Sequence, residues 1–234
     1  MTETAPTEAT EPTPLRLTVS ATGETIDVRS ARLIVAGYTG RDADAVAAHI
    51  AELAEIGVPA PPTVPAFYDL DPALVTTDPV ISVAGPDSSG EVEPVVIRHQ
   101  GRHFLGVGSD HTDRELEKTT IAGSKAACPK PLGGRVVELP ADLASFDWDA
   151  VVATSEVDGE PYQRGLLAAL RTPADVLGRL ADALPDTAGD LVLFGGTLPL
   201  LTGRFVFGRE WALQLRLADG TVLDHAYTTK RRSG

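Results

Sequence analysis

The chain has 234 residues, 43% of them hydrophobic and 5% aromatic, enough for a sizeable core in one large domain or two small ones. Acids outnumber bases 33 to 20, and the formal net charge of −13 excludes nucleic acid and anionic membrane surfaces as natural partners. No apolar run approaches the roughly 20 residues of a membrane span, and Cys128 is the only cysteine, so no disulfide can close within the chain; together these point to a cytoplasmic protein.

Residues 1–13 are Thr, Glu, Pro and Ala with almost nothing to bury, and they lack the basic and apolar regions of a secretory signal. They predict a disordered acidic tail ahead of a single domain over 14–234. "LRLTVSATGETIDVRSARLIVAG" alternates apolar and polar residues around a "TG" turn and predicts strands with a hairpin. "GRDADAVAAHIAELAEIG" switches to helical spacing, with Val46, Ile50, Leu53 and Ile56 in one stripe and Gly57 as its stop. His49 belongs to this helix and carries no chemical assignment.

A proline-rich connector, "VPAPPTVPAFYDLDP", precedes the strand "PVISVAG". "EVEPVVIRH" and "GRHFLGVGSD" read as two further strands, with His99 and His103 flanking the turn between them as surface residues. "HTDRELEKTTIAG" reads as one short helix with a capping box over Thr112–Glu115. "SKAACPKPLGG" reads as a loop, in which Lys130 is a solvated charge. "RVVEL", "WDAVVATSEVDGEPYQRG", "GDLVLFGGT" and "EWALQLRLADGTVLDHAY" are strand-like, two of them with "DG" turns. "TPADVLGRLADALP" is a second helix, capped by Thr172 with Pro173 in its first turn. The class is α+β, rich in strand, with a few helices.

Glu91 and Glu93 stand at strand spacing, so their carboxylates share one face. On an exposed face such a pair is merely solvated. Here it follows the small-residue loop of Ser88 and Ser89 and leads into apolar "VVI", so it enters a core. Asp110 follows one strand later, just before a helix. Three convergent carboxylates need a counter-charge, and a hard divalent cation with oxygen ligands is the usual one.

"EVE", "GSDHTDRE", "GSKAACPKP", Gln163 and "GDLVLFGGT" stand in an order that resembles the fumarylacetoacetate hydrolase superfamily, over roughly residues 80–227. The wording is most similar to a bacterial branch described only as a domain of unknown function. The resemblance implies a strand-rich mixed β-sheet roll with a few flanking helices. It implies metal ligands at Glu91, Glu93 and Asp110 for Mg²⁺ or Mn²⁺, an active-site Lys125, substrate contacts at Gln163, Thr197, Ser88 and Ser89, and a homodimer. The implied activity is metal-dependent attack on a small 2-oxo acid or 1,3-dicarbonyl compound through an enolate, with hydrolysis of a carbon–carbon bond leading. Decarboxylation, tautomerisation and hydration pass through the same enolate, and a non-catalytic metal-binding or subunit-interaction module is the other alternative. A nucleophilic Ser124–Lys125 dyad is disfavoured because adjacent side chains rarely point at each other.

The sequence departs from the family pattern at named positions. Pro94 follows the second glutamate, which predicts a sheet edge or bulge there. Ser109 stands where asparagine is usual, and His111 where a small apolar residue is common. "GGTLP" has one extra residue before its proline. No His/Glu lid pair is evident, and among His99, His103 and His111 the last, next to Asp110, is the candidate catalytic histidine.

Overall fold

The computed structural model describes residues 14–29, 31–55 and 60–232. The expected tail over residues 1–13 and the helix stop at Ile56 and Gly57 lie outside them, as do the side chains of His49 and Leu53.

Alternating apolar residues build two curled sheets. The larger has eight strands and the smaller five. In the larger, Val92–His99 and Arg102–Ser109 form the central hairpin. Its tight turn uses Gln100 and Gly101, both at positive φ. Arg135–Leu139 flanks the hairpin on one side and Leu191–Phe194 on the other. The predicted first hairpin is present, Leu15–Val19 against Thr25–Val28. The smaller sheet holds Val152–Val157, Glu160–Leu166, Glu210–Arg216, Val222–Arg231 and Val80–Val83. Parallel and antiparallel pairings occur in both, so the sheets are mixed. This is the strand-rich roll expected from the motifs.

Leu105 and Val107 of the central hairpin share one apolar cluster with Trp211, Leu213, Leu215 and Tyr227 of the smaller sheet. That shared cluster presses the end of Val92–His99, with Glu93, against the smaller sheet. The helix Pro173–Ala183 forms as predicted, Thr172 accepting from the Asp175 N–H, and buries Val176 and Leu180 on the outer face of the larger sheet. No helix among the described residues is long and apolar enough to cross a membrane.

Three local expectations are corrected. The segment after Asp110 makes two helices, Arg114–Glu117 and Ile121–Ala126. The first is capped by Asp113, which accepts from the Glu115 and Leu116 N–H groups at 3.1 and 3.0 Å. Thr112 instead joins Asp113 in a two-residue strand paired with Ser88–Ser89, which removes it from the capping position. Lys125 therefore comes from the last turn of a helix capped by Thr120, and not from a loop. Finally, Pro94 lies in an interior strand, neither edge nor bulge. Pairing with Leu191–Phe194 ends at Val95↔Phe194, and the Gly195 N–H donates to the Pro94 carbonyl at 2.9 Å just beyond. The missing proline donor falls where the neighbouring strand has already ended.

Leu105 is fully buried in the cluster that joins the sheets. Leu105→Ala is expected to cost about 2–5 kcal/mol in chemical denaturation. A cost below about 1 kcal/mol would mean that this position is not part of a shared, tightly packed core.

Candidate active site

The site lies where the strand beginning at Val92 emerges between the two sheets. Glu93 is 2% exposed, Asp110 1% and the Glu91 side chain 15%. All three act electrostatically on one ammonium, Lys125. The structure thus brings together the four residues expected to form the site's charged centre.

Each carboxylate has a different partner. Asp110 is clamped by two lysines, Lys125 on Oδ2 and Lys130 at 3.0 Å on Oδ1. Burial works to raise its pKa, but the two ammonium groups overcome it and hold Asp110 below the usual carboxylate range. Burial likewise pulls Lys125 down, and Asp110, Glu91 and Glu93 outweigh it, so the ammonium stays charged. Glu91 faces Arg114, whose Nη2 is 3.1 Å from Oε2 but too oblique for a hydrogen bond. Arg114 also pairs with Glu117 and lies 3.9 Å beneath the centre of the exposed Phe205 ring. Glu93 accepts one hydrogen bond, from the Gly196 N–H at 2.9 Å, and no cation among the described residues is within salt-bridge reach of it. Burial, and then the charge of Asp110, push its pKa well above the ordinary value.

Lys130 corrects the reading of a solvated loop charge. It is fully buried, and its three N–H donors go to the His111 and Lys125 carbonyls, each at 2.6 Å, and to Asp110. Burial and the neighbouring Lys125 lower its pKa. Lys130 braces the backbone on both sides of the site, and its ammonium has no donor left for a ligand.

The other expected site residues are taken up by protein partners. Gln163 is 1% exposed, and its amide is saturated. Its Oε1 accepts from the Val92 N–H and Ser155, and its Nε2 donates to Thr197 and the Leu198 carbonyl, all within 2.7–3.0 Å. The Thr197 hydroxyl donates to the Val92 carbonyl at 2.8 Å. These bonds bolt the first strand residue before Glu93 to both the smaller sheet and the "GGT" turn. Ser89 accepts from Arg114 Nε at 2.7 Å, and Ser88 is 3.0 Å from His111 Nε2. His111 is itself fully buried, and burial with Lys130 and Arg114 pushes its pKa down to about 3. It is neutral at physiological pH. Ser124 bonds the Ile121 carbonyl at 2.7 Å, the local helix contact of a structural serine.

His99 pairs with Asp190 at 2.6 Å at the far end of the strand from Glu93, about 20 Å away at 3.3 Å per residue. His103 is beside it in the hairpin. Neither histidine reaches the carboxylates.

Sequence reasoning missed four contributors. Tyr68 stands with its ring centre 5.6 Å from Lys125 Nζ, and burial pushes its phenol up to about 12. Tyr38 lies in the field of Lys125 and Glu117 and has the left-handed φ of +57°, an uncommon state for a tyrosine. Tyr68 lies in the proline-rich segment read as a connector, and Tyr38 lies between the segments read as strand and helix. Arg114 was legible only as the middle of a helix cap. Gly196 has φ +95°, and a Cβ there would stand 1.8 Å from Thr39 Oγ1, so only glycine delivers its N–H to Glu93.

The matching protein-family model covers residues 36–227 and is described as a protein of unknown function, DUF2848. The chain belongs to the DUF2848 family. No curated protein matches it. Among solved structures, fumarylpyruvate hydrolase from Pseudomonas aeruginosa in complex with Mn²⁺ and pyruvate is similar, with a TM-score of 0.62 and 19% identity over 98% of this chain and 99% of that one. A 5-carboxymethyl-2-hydroxymuconate delta-isomerase from Mycobacterium smegmatis matches with a TM-score of 0.55 and 15% identity, over 87% and 80% of the two chains. A 2-keto-3-deoxy-D-arabinonate dehydratase matches with a TM-score of 0.58 and 14% identity, over 90% and 77%. At such identities the likeness is one of fold. The DUF2848 chain therefore has the fumarylacetoacetate hydrolase type of fold, as its motif order implied.

Removing Lys130 would leave Asp110 and two carbonyls in a dry interior with fewer partners. Lys130→Met in this DUF2848 chain is expected to cost about 3–5 kcal/mol of stability in urea unfolding. A loss below about 1 kcal/mol would return Lys130 to the role of a loop charge.

Proposed function

We propose that this chain is a divalent-metal-dependent enzyme for a small 2-oxo acid or 1,3-dicarbonyl compound, working through an enolate. The carrying observation is Glu93: a buried carboxylate beside Asp110 with one backbone donor and no cation of its own among the described residues. Four carboxylates, Glu91, Glu93, Asp110 and Glu117, meet three cations, Arg114, Lys125 and Lys130. Burial favours a proton on Glu93, and a bound cation would take that proton's place. With Lys125 on Asp110 and Arg114 on Glu91, no three His, Cys, Asp or Glu side chains among the described residues form a ready ligand group. The donor chemistry nonetheless fits a hard ion, all carboxylate oxygen, and Glu91, Glu93 and Asp110 are the residues that would hold Mg²⁺ or Mn²⁺. A neighbour of the same fold is a complex with Mn²⁺ and pyruvate, which supports this reading.

When bound, such an ion supplies Lewis-acid polarisation of a substrate carbonyl. The chain's own residues do the rest. Lys125, kept charged by three carboxylates, offers a fixed positive charge where the enolate oxygen develops. Arg114 Nη2, buried with no hydrogen-bond partner, has a donor left for a substrate oxygen. Phe205 covers Arg114 and keeps water from its face. Hydrolysis of a carbon–carbon bond is the leading outcome. Decarboxylation or tautomerisation is the second reading, favoured by the phenol of Tyr68, which stands next to Lys125 and is kept protonated by burial. We also propose a homodimer, whose candidate face is the exposed run Phe205, Val206 and Phe207; light scattering at micromolar concentration is expected to give twice the chain mass, and a monomer would refute it.

The deciding experiment is a screen of 2-oxo acids and β-diketones with Mg²⁺ or Mn²⁺, read for acid release and for CO₂. Divalent ions at about 100 times their dissociation constant are expected to stabilise the wild type by about 2.7 kcal/mol, and Glu93→Gln to abolish the gain. If Mg²⁺, Mn²⁺ and Ca²⁺ all leave the melting curve unmoved, the metal reading fails. On the best substrate, Lys125→Met is expected to lower kcat by about a hundredfold to a thousandfold with little change in KM. Turnover within about threefold of wild type would remove Lys125 from the mechanism.

A further inference from the structure

Behind the carboxylates runs a buried hydrogen-bonded chain that none of the catalytic roles uses. Tyr227 belongs to Val222–Arg231 of the smaller sheet and is 2% exposed. Its ring stacks on Trp211, its cross-strand partner, at an interplanar angle of 9°. Its hydroxyl crosses to the other sheet, 2.8 Å from Ser109 Oγ and 3.0 Å from His111 Nδ1. Ser109 and His111 are the two neighbours of Asp110 in sequence. Ser109 Oγ also accepts the Glu91 N–H at 3.2 Å, and the Asp110 N–H donates to the Glu91 carbonyl at 3.1 Å. His111 Nε2 continues the chain to Ser88 at 3.0 Å. One tyrosine hydroxyl thus touches both flanks of Asp110 and, through Ser109, the backbone of Glu91.

The approach is close enough to dictate sequence. A Cβ on Gly90 would lie 2.2 Å from the Tyr227 hydroxyl and 2.4 Å from Ser109 Oγ. Gly90 is therefore the gap through which the tyrosine reaches. A neutral imidazole suits the chain, because one ring nitrogen donates and the other accepts. The edge of the His111 ring meets Trp211 at 5.4 Å and 87°, which fixes its plane. Burial keeps the Tyr227 phenol protonated, so it always has a hydrogen to donate.

We propose that Tyr227 is a positioning residue: its hydroxyl, acting through Ser109 and His111, sets where Glu91 and Asp110 stand. His111 in this arrangement is a link in the scaffold and transfers no proton to substrate. The consequence for ion affinity rests on the metal-binding reading above, whereas the consequence for the loop itself does not.

Tyr227→Phe keeps the ring and its stacking and removes only the hydroxyl. In the metal-free protein, amide hydrogen exchange at Glu91 and Asp110 is expected to rise by about tenfold or more, with Val95–Ile97 unchanged. In the same variant the Mn²⁺ dissociation constant, read by electron paramagnetic resonance, is expected to weaken by about tenfold to a hundredfold, with a changed zero-field splitting as the ligands shift. Should Tyr227→Phe fail to fold, Ser109→Ala cuts the same link at its other end and is read in the same way. Exchange at Glu91 and Asp110 within about twofold of wild type overturns the proposal, and so does an unchanged Mn²⁺ affinity where the wild type binds the ion. If the wild type binds no Mn²⁺, the metal reading falls and the exchange result alone decides this one.

Discussion

A carboxylate taken out of water must find a positive charge or give up its own, and the structure is organised around that constraint at Asp110. Asp110 is 1% exposed and remains ionised because Lys125 and Lys130 both stand on it. The two lysines are not equivalent. Lys130 spends all three donors on protein and ties down the carbonyls of His111 and Lys125. Lys125 stays charged in the combined field of Asp110, Glu91 and Glu93. One cation braces the backbone, and the other stands among the three carboxylates.

Holding like charges together also requires a backbone that cannot relax. Three bolts supply it, each joining the larger sheet to something else. Gln163 fixes Val92 to the smaller sheet and to the Leu198 carbonyl. The Gly196 N–H meets Glu93 from a turn that only glycine can make beside Thr39. Tyr227 passes over Gly90 to reach Ser109 and His111. The apolar cluster shared by the sheets presses these groups into register, so core packing and site geometry are one problem here.

The solved structures of similar fold include a hydrolase, an isomerase and a dehydratase. A fold of this kind does not choose its reaction; the groups around the carboxylates do. In this chain those groups are two tyrosines, a covered arginine and a buried lysine pair. The histidine next to Asp110 is turned into the core and held neutral.

Much of the architecture was legible in the sequence. Apolar alternation and turn residues marked the strands, and the 3.6-residue stripe with Thr172 and Pro173 marked the helix Pro173–Ala183. The order of the acidic, lysine and glycine motifs pointed to the fold and to Glu91, Glu93, Asp110 and Lys125 as neighbours. These signals are local or follow chain order, so a sequence carries them. The fate of individual polar side chains was not legible. Lys130 looks like any loop lysine until Asp110, 20 residues earlier, is folded beneath it. Gln163, Ser88 and Ser89 look like substrate contacts until Val92, His111 and Arg114 take their hydrogen bonds. Tyr227 and Gly90 lie more than a hundred residues apart, and nothing local in either says that one is small so that the other can pass. Burial and hydrogen-bond saturation are decided by contacts distant in sequence, and only the tertiary structure can determine which polar groups are left over for a ligand.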